Sequence, residues 1–268
     1  MFDNICKFLV ESFSTDFTTW LLGEPSALTE LSPQELSLEP IRADALILLQ
    51  SDELILHLEF QTRPKPRVPF RMADYRLRAY RRFPKKRMKQ VVIYLKRTNS
   101  RRVYQTTFTL EETFHRFQVI RLWEQPASVF LQSPGLLPLA VLCQSEDRVE
   151  TLRQVAMEID SIEDSQTQNN VTASTAILAG LVLEEKVIQQ LLRRDLMQES
   201  VIYQSIQAEA EEKGLTKGRA EGRAEGRAEG LQEGIQLVAL NMLREGLSIE
   251  VVAKITGFSV EQVEQLEL

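Results

Sequence analysis

Two carboxylates and two other polar side chains are set into apolar sequence between residues 42 and 61. Asp44 lies in Arg42-Ala-Asp-Ala-Leu-Ile-Leu-Leu-Gln50, and His57, Glu59 and Gln61 lie in Leu54-Ile-Leu-His-Leu-Glu-Phe-Gln61. A buried carboxylate is costly unless it is paired or binds a metal. Two acids in mutual reach repel, and a divalent cation between them reverses that sign. Hard cations such as Mg²⁺ take carboxylate oxygens. Asp44 and Glu59 are therefore the candidate metal ligands. His57 is a candidate for proton transfer because it shares their face. The same residues also suit two ordinary strands with polar positions near their ends.

The elements that must position these groups form a β-hairpin. Two apolar runs flank the polar break Gln50-Ser-Asp-Glu53, and each run is nearly all apolar, as in a strand covered on both faces. A turn centred between Ser51 and Asp52 opposes Asp44 to Glu59, Leu46 to His57 and Arg42 to Gln61. Directly opposed Cβ atoms lie roughly 4.5–5.5 Å apart. Alternation places His57, Glu59 and Gln61 on one face.

These residues carry a resemblance. Asp44 followed by Glu59-Phe-Gln61 on the next strand resembles the PD-(D/E)XK nuclease core, and more narrowly the Rpn family of recombination-promoting nucleases, also described as transposases. The family order is an Asp-x-x-x-Lys helix, an Arg-x-Asp strand, a Glu-x-Gln strand and an Arg-x-x-x-Tyr helix. Here these are Asp3 and Lys7, Arg42-Ala-Asp44, Glu59-Phe-Gln61, and Arg71-Met-Ala-Asp-Tyr75. The resemblance covers roughly residues 1 to 140. It implies a metal-dependent nuclease with Asp44, Glu59 and Gln61 as catalytic residues, Mg²⁺ or another divalent cation on the two acids, and Asp3, Lys7, Arg42, His57 and Tyr75 as accessory groups. It also implies a role in recombination or DNA mobility. The wider superfamily has Lys where Gln61 stands. Either Gln61 only positions water, or another group supplies the positive charge.

Net charge is −6, yet residues 63 to 102 hold 16 of the 32 Lys and Arg against one acid, Asp74. Phosphate binding depends on such a local footprint, not on the chain total. Arg71, Arg78, Arg81 and Arg82 are the candidate nucleic-acid contacts, on a helix over 70–83 with Tyr75 and Tyr80 interleaved. Two cysteines make neither a disulfide framework nor a zinc pattern. With neither a secretory signal nor a long apolar run, the expected location is cytoplasmic, away from membranes.

The remaining pattern predicts an α/β fold. A helix over 2–22 precedes a loop over 23–40 and the hairpin. After the basic helix come strands at 91–95 and 117–123, then an interrupted helical segment over 129–143. Helices over 148–162 and 172–212 flank a polar break at 164–170. Residues 217 to 230 repeat Gly-Arg-Ala-Glu with period four. On a helix this lines up glycines, arginines and glutamates in separate stripes. Each glycine costs about 1 kcal/mol against alanine, so the repeat is weak as a lone helix and suits pairing of copies. The end reads as three short helices with breaks at Gly246 and Gly257, Ser248 as a cap, and a capping box at Ser259 and Gln262. It resembles a helix-turn-helix but is acidic, which favours protein contact over DNA reading.

The expected organisation is a PD-(D/E)XK-like mixed sheet with helices over 1–143, a helical appendage over 144–213, a repeat helix over 214–234 and a small helix-turn-helix-like tail over 235–268. The expected function is Mg²⁺-dependent DNA endonuclease activity, with homo-oligomers formed through the repeat. The competing class is a nuclease fold that binds DNA without cutting, with the repeat as an assembly module. Cleavage in the presence of metal separates the two.

Overall fold

A computed structural model describes all residues except 1, 27, 32–45, 194, 195, 197, 198, 267 and 268. Arg42 and Asp44 therefore lie outside the described residues. The chain divides into two compact units, Met1–Ile206 and Gln207–Leu268.

The first unit is built on a five-stranded mixed sheet. Its strands are β1 (Thr29–Glu30), β2 (Leu46–Gln50), β3 (Leu54–Gln61), β4 (Arg87–Tyr94) and β7 (Gln118–Arg121), in the spatial order β1-β2-β3-β4-β7. β1, β2 and β3 pair antiparallel; β3, β4 and β7 pair parallel. The helix α3 (Val68–Arg82) makes the crossover from β3 to β4. Pro69 stands in its first turn, where the missing N–H is no loss. A separate hairpin, β5 (Thr107–Leu110) and β6 (Thr113–Arg116), falls between β4 and β7. The sequence reading missed it, because Thr and aromatic residues alternate there without an apolar run.

The β2–β3 hairpin forms as expected, but its register differs by two residues. Leu48, not Leu46, pairs with His57, and Leu46, not Asp44, pairs with Glu59. The cause is the turn. Ser51 N–H donates to the Leu54 carbonyl at 2.9 Å, and Leu54 N–H donates to Ser51 Oγ at 3.2 Å. This centres the turn between Asp52 and Glu53, one residue later than assumed, with Ser51 and Leu54 closing it. A slip of two keeps every β3 side chain on its face, whereas a slip of one would have inverted them all.

One face of the sheet carries Ile47, Leu49, Leu56, Leu58, Phe60, Val91, Ile93 and Ile120 in the main core. Covering it are α1 (Phe2–Ser12), α2 (Ser14–Leu22), α4 (Leu137–Ala140), α5 (Arg148–Asp160), α6 (Ser165–Ala179) and α7 (Glu185–Leu191). The single helix expected over 2–22 breaks at Phe13. Gly135 lets the chain pass close by, since a Cβ there would collide with Phe13. The helices read as an appendage contribute Leu152, Val155, Leu178 and Ile188 to this same core. Asp164 and the following residues, read as a break, start α6: Asp164 accepts from Thr167 N–H at 2.7 Å as an N-cap.

The opposite face carries Leu48, Ile55, His57, Glu59, Gln61, Gln90, Val92 and Tyr94 under α3, which packs through Val68, Met72, Tyr75 and Ala79. Polar groups and apolar groups therefore share one buried layer.

The helix α8 (Val201–Arg244) enters the second unit and runs through the whole repeat. Arg, Ala and Glu are good helix formers and offset the glycine cost. α9 (Ile249–Thr256) and α10 (Val260–Leu266) follow. Gly246 and Gly257 end helices with φ of 85° and 79°, conformations that disfavour a Cβ. Ser259 and Gln262 form the reciprocal capping box, at 2.9 and 3.2 Å. Ser248 takes the N-cap position without a side-chain cap hydrogen bond, while its carbonyl accepts from Val251 and Val252 N–H at 3.0 Å. Ala239, Val252, Ala253 and Val263 form this unit's own core.

Candidate active site

Three of the sequence-selected residues meet two others beneath α3. Glu59, 2 % exposed, stands on β3 at the centre of the cluster. Its Oε1 accepts from Gln61 Nε2 at 3.1 Å and from Arg71 Nη2, and it forms an ion pair with that guanidinium. Gln61 reaches Glu59 because residues two apart on a strand share a face. Arg71 and Tyr75 are four apart on α3, so both face the sheet. Among the described residues, Glu59 Oε2 takes no hydrogen bond. Burial raises the Glu59 carboxyl above its ordinary value, against the lowering by Arg71; Lys65 also lowers it and Asp3 raises it. Desolvation outweighs the ion pair.

His57 is wholly buried, its ring edge-on to Tyr75 with centroids 5.2 Å apart. Gln90 on β4 fixes its tautomer. Gln90 Nε2 lies 2.7 Å from the Met72 carbonyl, which can only accept, so that atom is the amide nitrogen. The same nitrogen lies 2.9 Å from His57 Nδ1, which therefore accepts. Gln90 Oε1 in turn accepts from His115 Nε2 at 2.8 Å. The proton of neutral His57 is left on Nε2, which is buried with no partner among the described residues, as is Arg71 Nε. Burial, with Arg71 and then His115, lowers the His57 pKa to about 3. His57 is accordingly a neutral hydrogen-bond donor near neutral pH, not a free base.

Other candidates lie elsewhere. Lys7 pairs with Glu11 and Glu30, at 3.3 and 3.6 Å. Arg78 pairs with Asp74 one turn away at 3.0 Å. Arg81 and Arg82 are exposed. Sequence reasoning missed Gln90, His115 and Tyr94. The Tyr94 hydroxyl is raised by burial and then by Glu59, which places it within the electrostatic reach of the cluster. A polar Gln opening the apolar run of β4 was the one available signal for Gln90.

Residues 232–268 match the model of the Rpn/YhgA-like nuclease family, C-terminal HTH domain. This segment of the chain is thus similar to the C-terminal domain of that family. The matched segment contains the end of α8 together with α9 and α10. No curated protein and no solved structure matches the chain. Among the described residues, no group of three His, Cys, Asp or Glu could hold a metal ion, and no helix is long and apolar enough to cross a membrane.

Proposed function

We propose that this chain is a member of the Rpn family and a divalent-cation-dependent DNA endonuclease with a PD-(D/E)XK-like core. The observation that carries the reading is Glu59: a carboxylate buried on β3, where antiparallel and parallel pairing meet, held on one oxygen by Gln61 and Arg71, with its other oxygen unclaimed by the described residues. A free carboxylate oxygen suits a hard cation, and the second acid of this reading, Asp44, lies outside the described residues. Glu59 and Asp44 would hold the ion, with Mg²⁺ as the fitting choice. When bound, it supplies charge to the phosphoryl oxygen and lowers the pKa of the attacking water.

The chain's own residues have distinct tasks in this reading. Glu59 presents Oε2. Gln61 fixes the carboxylate rotamer through Oε1 and orients water or substrate with its remaining amide atoms. Arg71, beside Gln61 on the same oxygen, is the group that supplies the positive charge which Gln61 lacks. His57 donates from Nε2 to an acceptor near the scissile phosphate. Arg81 and Arg82 contact the DNA backbone. The substitution of Gln61 for Lys also supports a second reading, a nuclease fold that binds DNA without cutting.

The test is conversion of supercoiled plasmid by full-length protein with Mg²⁺ or with EDTA, together with Mg²⁺ binding by calorimetry. Cleavage with Mg²⁺ alone is expected, with Glu59→Gln losing both cleavage and ion binding. Wild-type rates from Glu59→Gln would refute the site. Binding of plasmid with no cleavage under any divalent cation would favour the second reading.

A further inference from the structure

Apart from the Glu59 cluster, a cavity of about 380 Å³ opens beside α3, the start of β4, β6 and β7. Arg76, Lys89, Gln90, His115, Arg116 and Gln118 line it. None of its described lining residues is acidic, and Arg76, Lys89 and Arg116 form no ion pair among the described residues. Cations gathered without a counter-charge repel one another, and an anion in the cavity relieves that repulsion. The wall is fixed in advance. Gln90 is buried, its amide nitrogen held by the Met72 carbonyl and its oxygen by His115 Nε2. The His115 ring stacks on Phe117 with centroids 6.3 Å apart.

Two exposed rings stand beside two of the lining cations. Phe114, 59 % exposed, lies 5.7 Å from the Arg116 guanidinium carbon; Tyr80, 54 % exposed, lies 6.0 Å from that of Arg76. Guanidinium groups suit phosphate oxygens. Flat exposed rings suit the faces of unpaired bases, which a duplex keeps stacked inside. We propose that this cavity receives a backbone phosphate of single-stranded nucleic acid, with Phe114 and Tyr80 as platforms for the neighbouring bases. The inference rests on the nucleic-acid reading above and adds to it a strand form and a second contact surface.

The test uses full-length protein and a fluorescent oligothymidylate, titrated across a salt series. The double variant Arg76→Gln/Arg116→Gln should bind more weakly, with the slope of log affinity against log salt smaller by about 0.7, for the one single-strand phosphate left without its guanidinium groups. Arg76→Lys/Arg116→Lys should keep most of the slope. Phe114→Ala should weaken binding about fivefold or more with the slope intact. An unchanged slope in the glutamine variant, with wild-type protein binding the oligonucleotide, overturns the cavity assignment alone. Loss of slope with no effect of Phe114→Ala or Tyr80→Ala overturns the single-strand assignment. A polyglutamate peptide that binds as tightly and loses affinity in the same variants overturns it in favour of an acidic protein. If wild-type protein binds neither plasmid nor oligonucleotide, the reading under Proposed function fails as well.

Discussion

The neutrality of His57 gives a measurable acid sensitivity. In the unfolded chain the imidazole titrates near its ordinary 6.5; in the folded protein burial and the charge of Arg71 lower it to about 3. Between those values the unfolded state binds a proton that the folded state does not, so stability is complete above the unfolded value and falls as pH drops toward the folded one. From pH 7 to pH 5 the loss is about 2 kcal/mol, at roughly 1.4 kcal/mol per unit once below 6.5. Glu59 works in the other direction. Its raised carboxyl takes up a proton in the folded state first, which adds stability on acidification down to its ordinary value. That contribution is present in wild type and variant alike, so a double difference removes it.

The perturbation is His57→Gln, whose amide oxygen can accept from Gln90 and which carries no titrating proton. Urea unfolding at pH 7 and pH 5 should show wild-type protein losing about 2 kcal/mol more than the variant over that interval. Tryptophan fluorescence is the suitable probe, because Trp20 and Trp123 both lie in the first unit, with His57. Equal pH dependence in the two proteins would mean that His57 is not buried neutral, and the tautomer argument through Gln90 would fall with it.

Two further outcomes follow from the cations and the repeat. Replacing Arg81 and Arg82 with Gln should lower the salt slope for duplex DNA by up to about 1.8, while Arg78→Gln should change it less because Asp74 already holds that side chain; equal effects in a filter-binding salt series would show that the exposed pair has no special part. In the repeat, a Cβ at Gly218, Gly222, Gly226 or Gly230 would meet nothing within the chain, so replacing all four with Ala should stabilise a lone helix by up to about 1 kcal/mol each. If copies pair through the glycine stripe, light scattering should instead show the tetra-alanine variant losing mass that wild-type protein holds at micromolar concentration; identical masses would leave the repeat a tether.

The candidate site was legible where side-chain period alone determines the answer. His57, Glu59 and Gln61 share a face because strand alternation is fixed, and Arg71 and Tyr75 share one because they are four apart on a helix. The hairpin register was not legible, since Ser51 closing the turn onto Leu54 moves the turn centre by one residue, a shift that the apolar pattern does not mark. Gln90 and His115 were beyond reach for another reason. They meet His57 only through the parallel pairing of β3 with β4 and through the packing of β6 beside α3. No local pattern encodes contacts made at separations of 33 and 25 residues.

The arrangement around Glu59 also changes how its charge must be understood. Sequence opposed it to Asp44, and removal of either acid then relieved repulsion. In the structure its described neighbours are a guanidinium and an amide, and Glu59 pairs across the hairpin with Leu46. Deleting the carboxylate would leave the Arg71 charge without its partner in a site where Arg71 Nε is already buried with no partner among the described residues. Removing one member of a partly buried pair costs more than the pair contributes, because the survivor keeps its desolvation penalty. Glu59→Ala should therefore not be assumed harmless to the fold, and Glu59→Gln, which keeps an acceptor oxygen for Arg71, is the variant that separates chemistry from stability. The same geometry gives Arg71 two parts in the proposed reading. It compensates Glu59 in the protein without metal, and it stands beside Gln61 where a charged side chain is needed.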